Sequence, residues 1–165
     1  SPYAASKASS DLFVHAFHKT YGLPTIITNC SNNYGPNQYP EKVIPKFIQQ
    51  LKSKQKVYIQ GDGSCVRAFL HSFHTANAFI TILEKGIIGE IYNIGCDENM
   101  EYSILDVAKI LIKKIIGTNN YHDLIEYIED RPFNDKRYYI SNNKLKELGW
   151  KININFLEVI DMLKK

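Results

Sequence analysis

Tyr3 and Lys7 stand four residues apart in a segment, Pro2 to Tyr21, whose small and apolar residues Ala5, Ala8, Leu12, Phe13, Ala16 and Phe17 recur at helical spacing. Both side chains are therefore expected on one helix face. A phenol ordinarily loses its proton near pH ~10. An ammonium beside it favours the phenolate, and the pair can then take a proton from a sugar or steroid hydroxyl while a cofactor accepts hydride. Alone, Tyr-x-x-x-Lys is a weak signal in a chain rich in both residue types. Three of the 20 basic residues are arginines, Arg67, Arg131 and Arg137. A planar guanidinium fork suits phosphate better than a lysine point charge does. Cys65, His71 and His74 superficially suggest a metal, and His15 and His18 share a helix face. Neither set has further partners at ligand spacing, so no metal is expected.

These residues must be positioned by an alternation of helices and short strands, the mark of an α/β arrangement. Ser1-Pro2 is a fair start and Gly22 a fair stop for the first helix. Thr25 to Cys30 is a β-branched run typical of a strand buried on both faces. Ser31 to Pro40 reads as an Asn-, Gly- and Pro-rich loop. Val43 to Lys52 is helical, Val57 to Gln60 a strand, and Gly61-Asp62-Gly63-Ser64 a turn. Val66 to Phe73 alternates weakly as a further strand, Thr75 to Glu84 is helical, and Glu90 to Ile94 is a strand. Ser103 precedes a strongly periodic helix through Ile104, Val107, Ala108, Leu111 and Ile115, stopped at Gly117. Ile125 to Ile128 and Tyr138 to Ile140 are short strands. Asn142 or Asn143 caps a helix to Leu148, and Phe156 to Leu163 is a last amphipathic one.

Composition narrows the function classes. With 165 residues, 44% apolar and 22% charged, the chain is an ordinary globular domain rather than a disordered or fibrous one. A net charge of +3 is too small to indicate a nucleic-acid surface. No apolar stretch approaches the roughly 20 residues of a membrane-spanning helix. Three widely spaced cysteines, Cys30, Cys65 and Cys96, indicate no disulfide framework, so a reducing cytosol is the expected location. The Asn29-Cys30-Ser31 sequon falls at a predicted buried strand end and is not expected to carry glycan. The chain begins without Met, directly in a helical pattern, and reads like an excerpt.

The surroundings of Tyr3 and Lys7 carry more. Ser1-Pro2-Tyr3-Ala4-Ala5-Ser6-Lys7 resembles the active-site helix of the extended short-chain dehydrogenase/reductases. Further matches follow in order: Ser31-Asn32-Asn33-Tyr34-Gly35-Pro36, Pro40-Glu41-Lys42-Val43-Ile44-Pro45, Gly61-Asp62-Gly63 with Arg67, Tyr92-Asn93-Ile94-Gly95, and Asp130-Arg131-Pro132 with Arg137-Tyr138. Together they are similar to the nucleotide-sugar 4,6-dehydratases acting on dTDP- or UDP-glucose. The resemblance runs the length of the chain, which is identified as their C-terminal half.

That resemblance implies an α/β fold: the C-terminal part of a Rossmann-like doubly wound parallel sheet with a small α/β substrate-binding lobe. Residues 1–35 would be the tail of the NAD-binding domain and residues 36–165 mainly the nucleotide-sugar lobe, with some segments returning to the sheet. It implies NAD as cofactor, with oxidation at C4, loss of water across C5 and C6, and reduction at C6. Tyr3 and Lys7 would be catalytic and would touch the cofactor, as would Asn33. Asn32, Lys42, Val43, Tyr58, Ile59, Gln60, Arg67, Asn93 and Arg131 would bind the nucleotide sugar, the base lying along Tyr58, Ile59 and Gln60 and the diphosphate held by Arg67 and Arg131. It further implies a homodimer packed through the Tyr3–Lys7 helix.

The family's Gly-rich NAD-binding turn and its elimination triplet are not in these residues, and Gly61-Asp62-Gly63 is no substitute because no G-x-G-x-x-G follows. Without its partner strands the piece is expected to aggregate through a bare hydrophobic edge. Two departures stand out. His74 takes the place of an Asp usual at the start of the next helix, which predicts a poorer N-cap, and Phe133-Asn134 replaces Gly-His. An epimerase, decarboxylase or reductase of the same superfamily, or a non-catalytic sugar-nucleotide-binding or dimerising module, remains open on sequence.

Overall fold

The computed structural model describes residues 1–132, 135–154 and 156–163. The Phe133-Asn134 departure lies outside the described residues. The chain is α/β, with mostly parallel strand pairs between helices. Helix α1 (Pro2–Tyr21) is opened by Ser1, whose hydroxyl accepts from the Ala4 amide at 3.2 Å, and closed by Gly22 in the left-handed conformation at φ 68°. Strand β1 (Ile27–Cys30) follows, then β2 (Asn32–Tyr34), α2 (Val43–Lys52), β3 (Val57–Gln60), β4 (Val66–His71), α3 (Ser72–Lys85) and β5 (Ile91–Ile94). The second half adds β6 (Glu101–Ser103), α4 (Ile104–Ile115), β7 (Ile125–Ile128), β8 (Arg137–Tyr138), α5 (Asn143–Glu147) and α6 (Phe156–Leu163).

Three sheets result among the described residues. β1 pairs parallel with β5, Ile27 facing Ile91 and Cys30 facing Ile94. β3 pairs parallel with β7. β4 is the hub of the third, parallel to β2 and β8 and antiparallel to β6. Side chains alternate across a strand, and β4 uses this to join two cores. Phe69 enters a cluster with Tyr34, Phe47, Val57, Leu111 and Phe156. Ala68 and Leu70 face the opposite way, into a cluster with Ile82, Tyr92, Ile94, Leu145 and Trp150. Helix α4 is fixed by a capping box in which the Ser103 hydroxyl accepts from the Asp106 amide at 2.9 Å and the Asp106 carboxylate accepts from the Ser103 amide at 3.2 Å.

The structure corrects several expectations. β1 is not buried on both faces: it has β5 on one side, and Asn29 and Cys30 are exposed. The apolar pattern records what the strand can tolerate, whereas burial depends on which partners are present. Part of the expected loop after Ser31 is strand, because Asn32, Asn33 and Tyr34 complete the ladder of β4 at Phe69, Leu70 and His71. His74 is not the N-cap but the third residue of α3. His71 caps α3, its Nδ1 accepting from the Phe73 amide at 3.3 Å. His74 is buried within the first turn; its Nε2 accepts from the Ile154 amide at 3.1 Å, and its carbonyl accepts from the Trp150 indole at 3.0 Å. The ring thus ties α3 to the segment before α6.

Candidate functional site

A cleft of about 460 Å³ opens between β2, the start of α2, β3, the Arg67 and Phe69 side of β4, and the segment after β7. Several of the expected ligands meet there. Asn32 and Asn33 come from β2, Lys42 and Val43 from the entry to α2, Tyr58 and Gln60 from β3, Arg67 from β4, and Arg131 from the segment after β7. β3 alternates buried and exposed residues, so Tyr58 and Gln60 face the cleft while Ile59, wholly buried, faces the core. The Ile59 side chain therefore does not line the cleft. Its backbone lies between the two lining residues.

Three expected residues lie elsewhere. Asn93, on β5, does not line the cleft; its carboxamide oxygen accepts from Asn29 Nδ2 at 3.3 Å across the β1–β5 pair. Tyr3 and Lys7 sit on α1, which buries none of its residues, and Tyr3 is 75% exposed. The i, i+4 spacing keeps the pair on one helix face open to solvent.

The cleft also holds residues that the motif comparison did not single out: Gln38, Glu41, Lys46 and Cys65 among them. Lys46 had a readable signal, since it follows Lys42 by four on a helix. Gln38 had none; its amide donates to the Asn33 carbonyl at 2.8 Å and braces β2 from the loop. Thr75 is another such support, its buried hydroxyl donating to Asn33 Oδ1 at 2.7 Å.

Lys42, Lys46, Arg67 and Arg131 against Glu41 give the cleft a cationic excess suited to an anion such as a diphosphate. The two arginines are held differently. Arg67 Nη1 donates to the carbonyls of Val66 and Asp135, each at 2.8 Å, and the guanidinium lies 4.7 Å from the centre of the Tyr138 ring. The Tyr138 hydroxyl donates to the Asp135 carboxylate. Arg131 Nε donates to Gln60 Oε1 at 3.0 Å. The Gly61–Ser64 turn serves structure: the Ser64 side chain first, and then the Ser64 amide donating to the Asp62 carboxylate at 2.8 Å, hold the Asp62 pKa below the usual range, and Gly61 at φ 61° lets Asp130 approach. Among the described residues there is no group of three or more potential metal ligands, and no helix long and apolar enough to cross a membrane. Burial pushes the Cys96 thiol up to about 12, which removes it as a nucleophile.

A family model described as GDP-mannose 4,6 dehydratase matches residues 1–163. The chain belongs to that family. A dTDP-D-glucose 4,6-dehydratase of Bos taurus is 46% identical over 162 residues, covering 96% of this chain and 45% of the relative. A crystal structure of a dTDP-glucose 4,6-dehydratase from Bacillus anthracis in complex with NAD superposes with a TM-score of 0.89 at 40% identity, over 98% of this chain and 50% of that one. A UDP-glucuronic acid 4-epimerase from Bacillus cereus, in complex with UDP-glucuronic acid and NAD, gives 0.88 at 27% identity, over 98% and 50%. The chain thus spans about half the length of the family members it matches. Backbone shape fits dehydratase and epimerase almost equally, while sequence identity separates them.

Proposed function

We propose that this chain is the nucleotide-sugar-binding half of an NAD-dependent 4,6-dehydratase that converts an NDP-glucose, with dTDP or UDP as the nucleotide, to the 4-keto-6-deoxy sugar. The observation that carries this reading is the cationic cleft, which gathers Asn32, Lys42, Val43, Tyr58, Gln60, Arg67 and Arg131 from five separate stretches of sequence. The higher identity to the Bos taurus and Bacillus anthracis dehydratases than to the Bacillus cereus epimerase favours elimination chemistry over epimerisation. Residues 1–35 would extend a dinucleotide-binding sheet and residues 36–165 would form most of the substrate lobe. The return of β5 to pair with β1 supports a lobe that is not wholly separate.

The residues present fit one end of NAD. Tyr3 and Lys7 expose a hydroxyl and an amine on one face, suited to a nicotinamide ribose, and Asn33 lies at the cleft's β2 wall. Among the described residues no Gly-rich strand-to-helix turn is available for the pyrophosphate. Held there, NAD would supply a hydride acceptor for C4 and a hydride donor for C6. In that reaction Tyr3 takes the proton of the C4 hydroxyl, Lys7 favours its phenolate, and Asn32 orients the sugar. Lys42 and Val43 bound the nucleotide beside Tyr58, and the arginines meet the diphosphate.

A homodimer through α1 belongs to the same reading, supported by the exposed Leu12, Phe13 and Phe17 along that helix. The three free cysteines suit a reducing compartment. Calorimetric titration of the chain with TDP and UDP tests the central claim. Saturable heat at 1:1 stoichiometry with either nucleotide is expected, and no uptake of either would overturn it. In the longer protein containing this half, conversion of NDP-glucose to a 4-keto product tests the chemistry.

A further inference from the structure

The two arginines that line the cleft are not equivalent. Both hydrogens of Arg67 Nη1 are taken by main-chain carbonyls, and its face lies over Tyr138, so it is built into the wall. Arg131 is held at one atom only among the described residues, Nε, by Gln60 Oε1 at 3.0 Å. A guanidinium carries only donors, so the Gln60 amide oxygen must be the atom facing it. Fixing Nε fixes the plane of the fork and leaves its two terminal nitrogens to a ligand. Gln60 stands at the outward end of β3 and Arg131 just beyond the end of β7, and the parallel pairing of these strands brings the two together across the mouth of the cleft. The Asp130 carboxylate, accepting from the Arg131 amide at 2.8 Å, holds the backbone at the same point.

We propose that Gln60 is a positioning residue for Arg131: it aims the guanidinium at the diphosphate of the nucleotide rather than reading the base. This inference rests on the nucleotide-sugar reading of the cleft. Its consequence is energetic coupling. If Gln60 acts through Arg131, its removal costs nothing once Arg131 is gone; if it touches the base, the two losses multiply.

The test is a double-mutant cycle, with UDP and TDP titrated into the chain. Gln60→Leu removes the acceptor at similar volume and should weaken binding on the order of fivefold, the size of one ordinary hydrogen bond lost. Arg131→Ala should weaken it by roughly thirtyfold or more. The double variant should match Arg131→Ala to within about twofold. A double variant weakened by the product of the single losses would overturn the proposal, as would Gln60→Leu without effect on nucleotide affinity. Gln60→Met, equally lacking an acceptor, repeats the measurement if the leucine variant shifts the thermal midpoint. Failure of the unmodified chain to bind either nucleotide would overturn the underlying reading itself, and this inference with it.

Discussion

The cleft and helix α1 are two regions of one chain treated in opposite ways. The cleft is braced at three places: Asn33 by Thr75 and Gln38, Arg67 by two carbonyls and an aromatic ring, Arg131 by Gln60. Helix α1 carries the Tyr3–Lys7 pair yet buries nothing, and Leu12 and Phe13 are 70% and 68% exposed. Most of a helix's stability in a folded protein comes from packing an apolar face. The cleft is therefore preorganised by contacts within the chain, whereas the Tyr3–Lys7 pair, proposed as reactive, stands on a helix that buries none of its residues. A group at that pair must gain its surroundings from a surface that these residues do not supply. On the proposed reading, binding belongs to the cleft and chemistry to the helix, and experiments can treat the two separately.

The sharpest way to break this contrast is Tyr3→Phe in the longer protein containing this half. Turnover of dTDP- or UDP-glucose should fall by about 10²–10⁴-fold, the usual weight of a proton-transfer group, while titration of the chain itself with TDP or UDP stays unchanged. Unchanged turnover would remove Tyr3 from the mechanism. Weakened nucleotide binding would couple Tyr3 to a cleft whose lining does not include it.

Stability should divide along the same line. Leu111→Ala empties part of the core behind the cleft, where Leu111 is fully buried, and should cost about 2–5 kcal/mol in denaturant unfolding. Leu12→Ala on α1 should change the same measurement by less than about 0.5 kcal/mol. A large effect at Leu12 would show that α1 is packed in solution, and dependence of that effect on protein concentration would identify a second copy as what covers it. Between these extremes, Ser103→Ala removes the capping box of α4 and should cost about 1 kcal/mol.

How much of this was readable from the sequence follows the range of the forces involved. Periodicity located α1, α2 and α4 because an apolar stripe is local, and Ser103 announced its own helix through Asp106 three residues later. The three-residue strands β2 and β6 were not legible. Asn32 to Tyr34 has turn composition and is extended only because β4 lies beside it. The cleft's ligands could be named from motif matches, but not their partners: Gln60 with Arg131 is a contact across 71 residues, and Thr75 with Asn33 one across 42. Ile59 and Asn93 show the same limit from the other side. Each lies within or beside a matched motif, yet strand alternation turns one inward and the β1–β5 pairing claims the other.

His74 gives the finest probe of the braced region. Burial disfavours its imidazolium, and His71 nearby adds repulsion, so its pKa in the folded chain lies below the ordinary 6.5. The unfolded chain then takes up a proton more readily as pH falls through that value. Stability contributed by neutral His74 is complete above about pH 6.5 and declines on acidification. Its Nε2 accepts the Ile154 amide, so protonation also abolishes that hydrogen bond. Urea midpoints at about pH 7.5 and 5.5 should therefore differ, the acidic one lower, and His74→Gln, which keeps an acceptor but cannot titrate there, should narrow the gap. His71 is shifted the same way by burial, so the double variant His71→Gln/His74→Gln should narrow it further. If His74→Gln left the gap intact, the tie between α3 and the segment before α6 would not depend on a neutral imidazole. The bracing of the cleft's far side would then rest on Trp150 and its hydrogen bond to the His74 carbonyl.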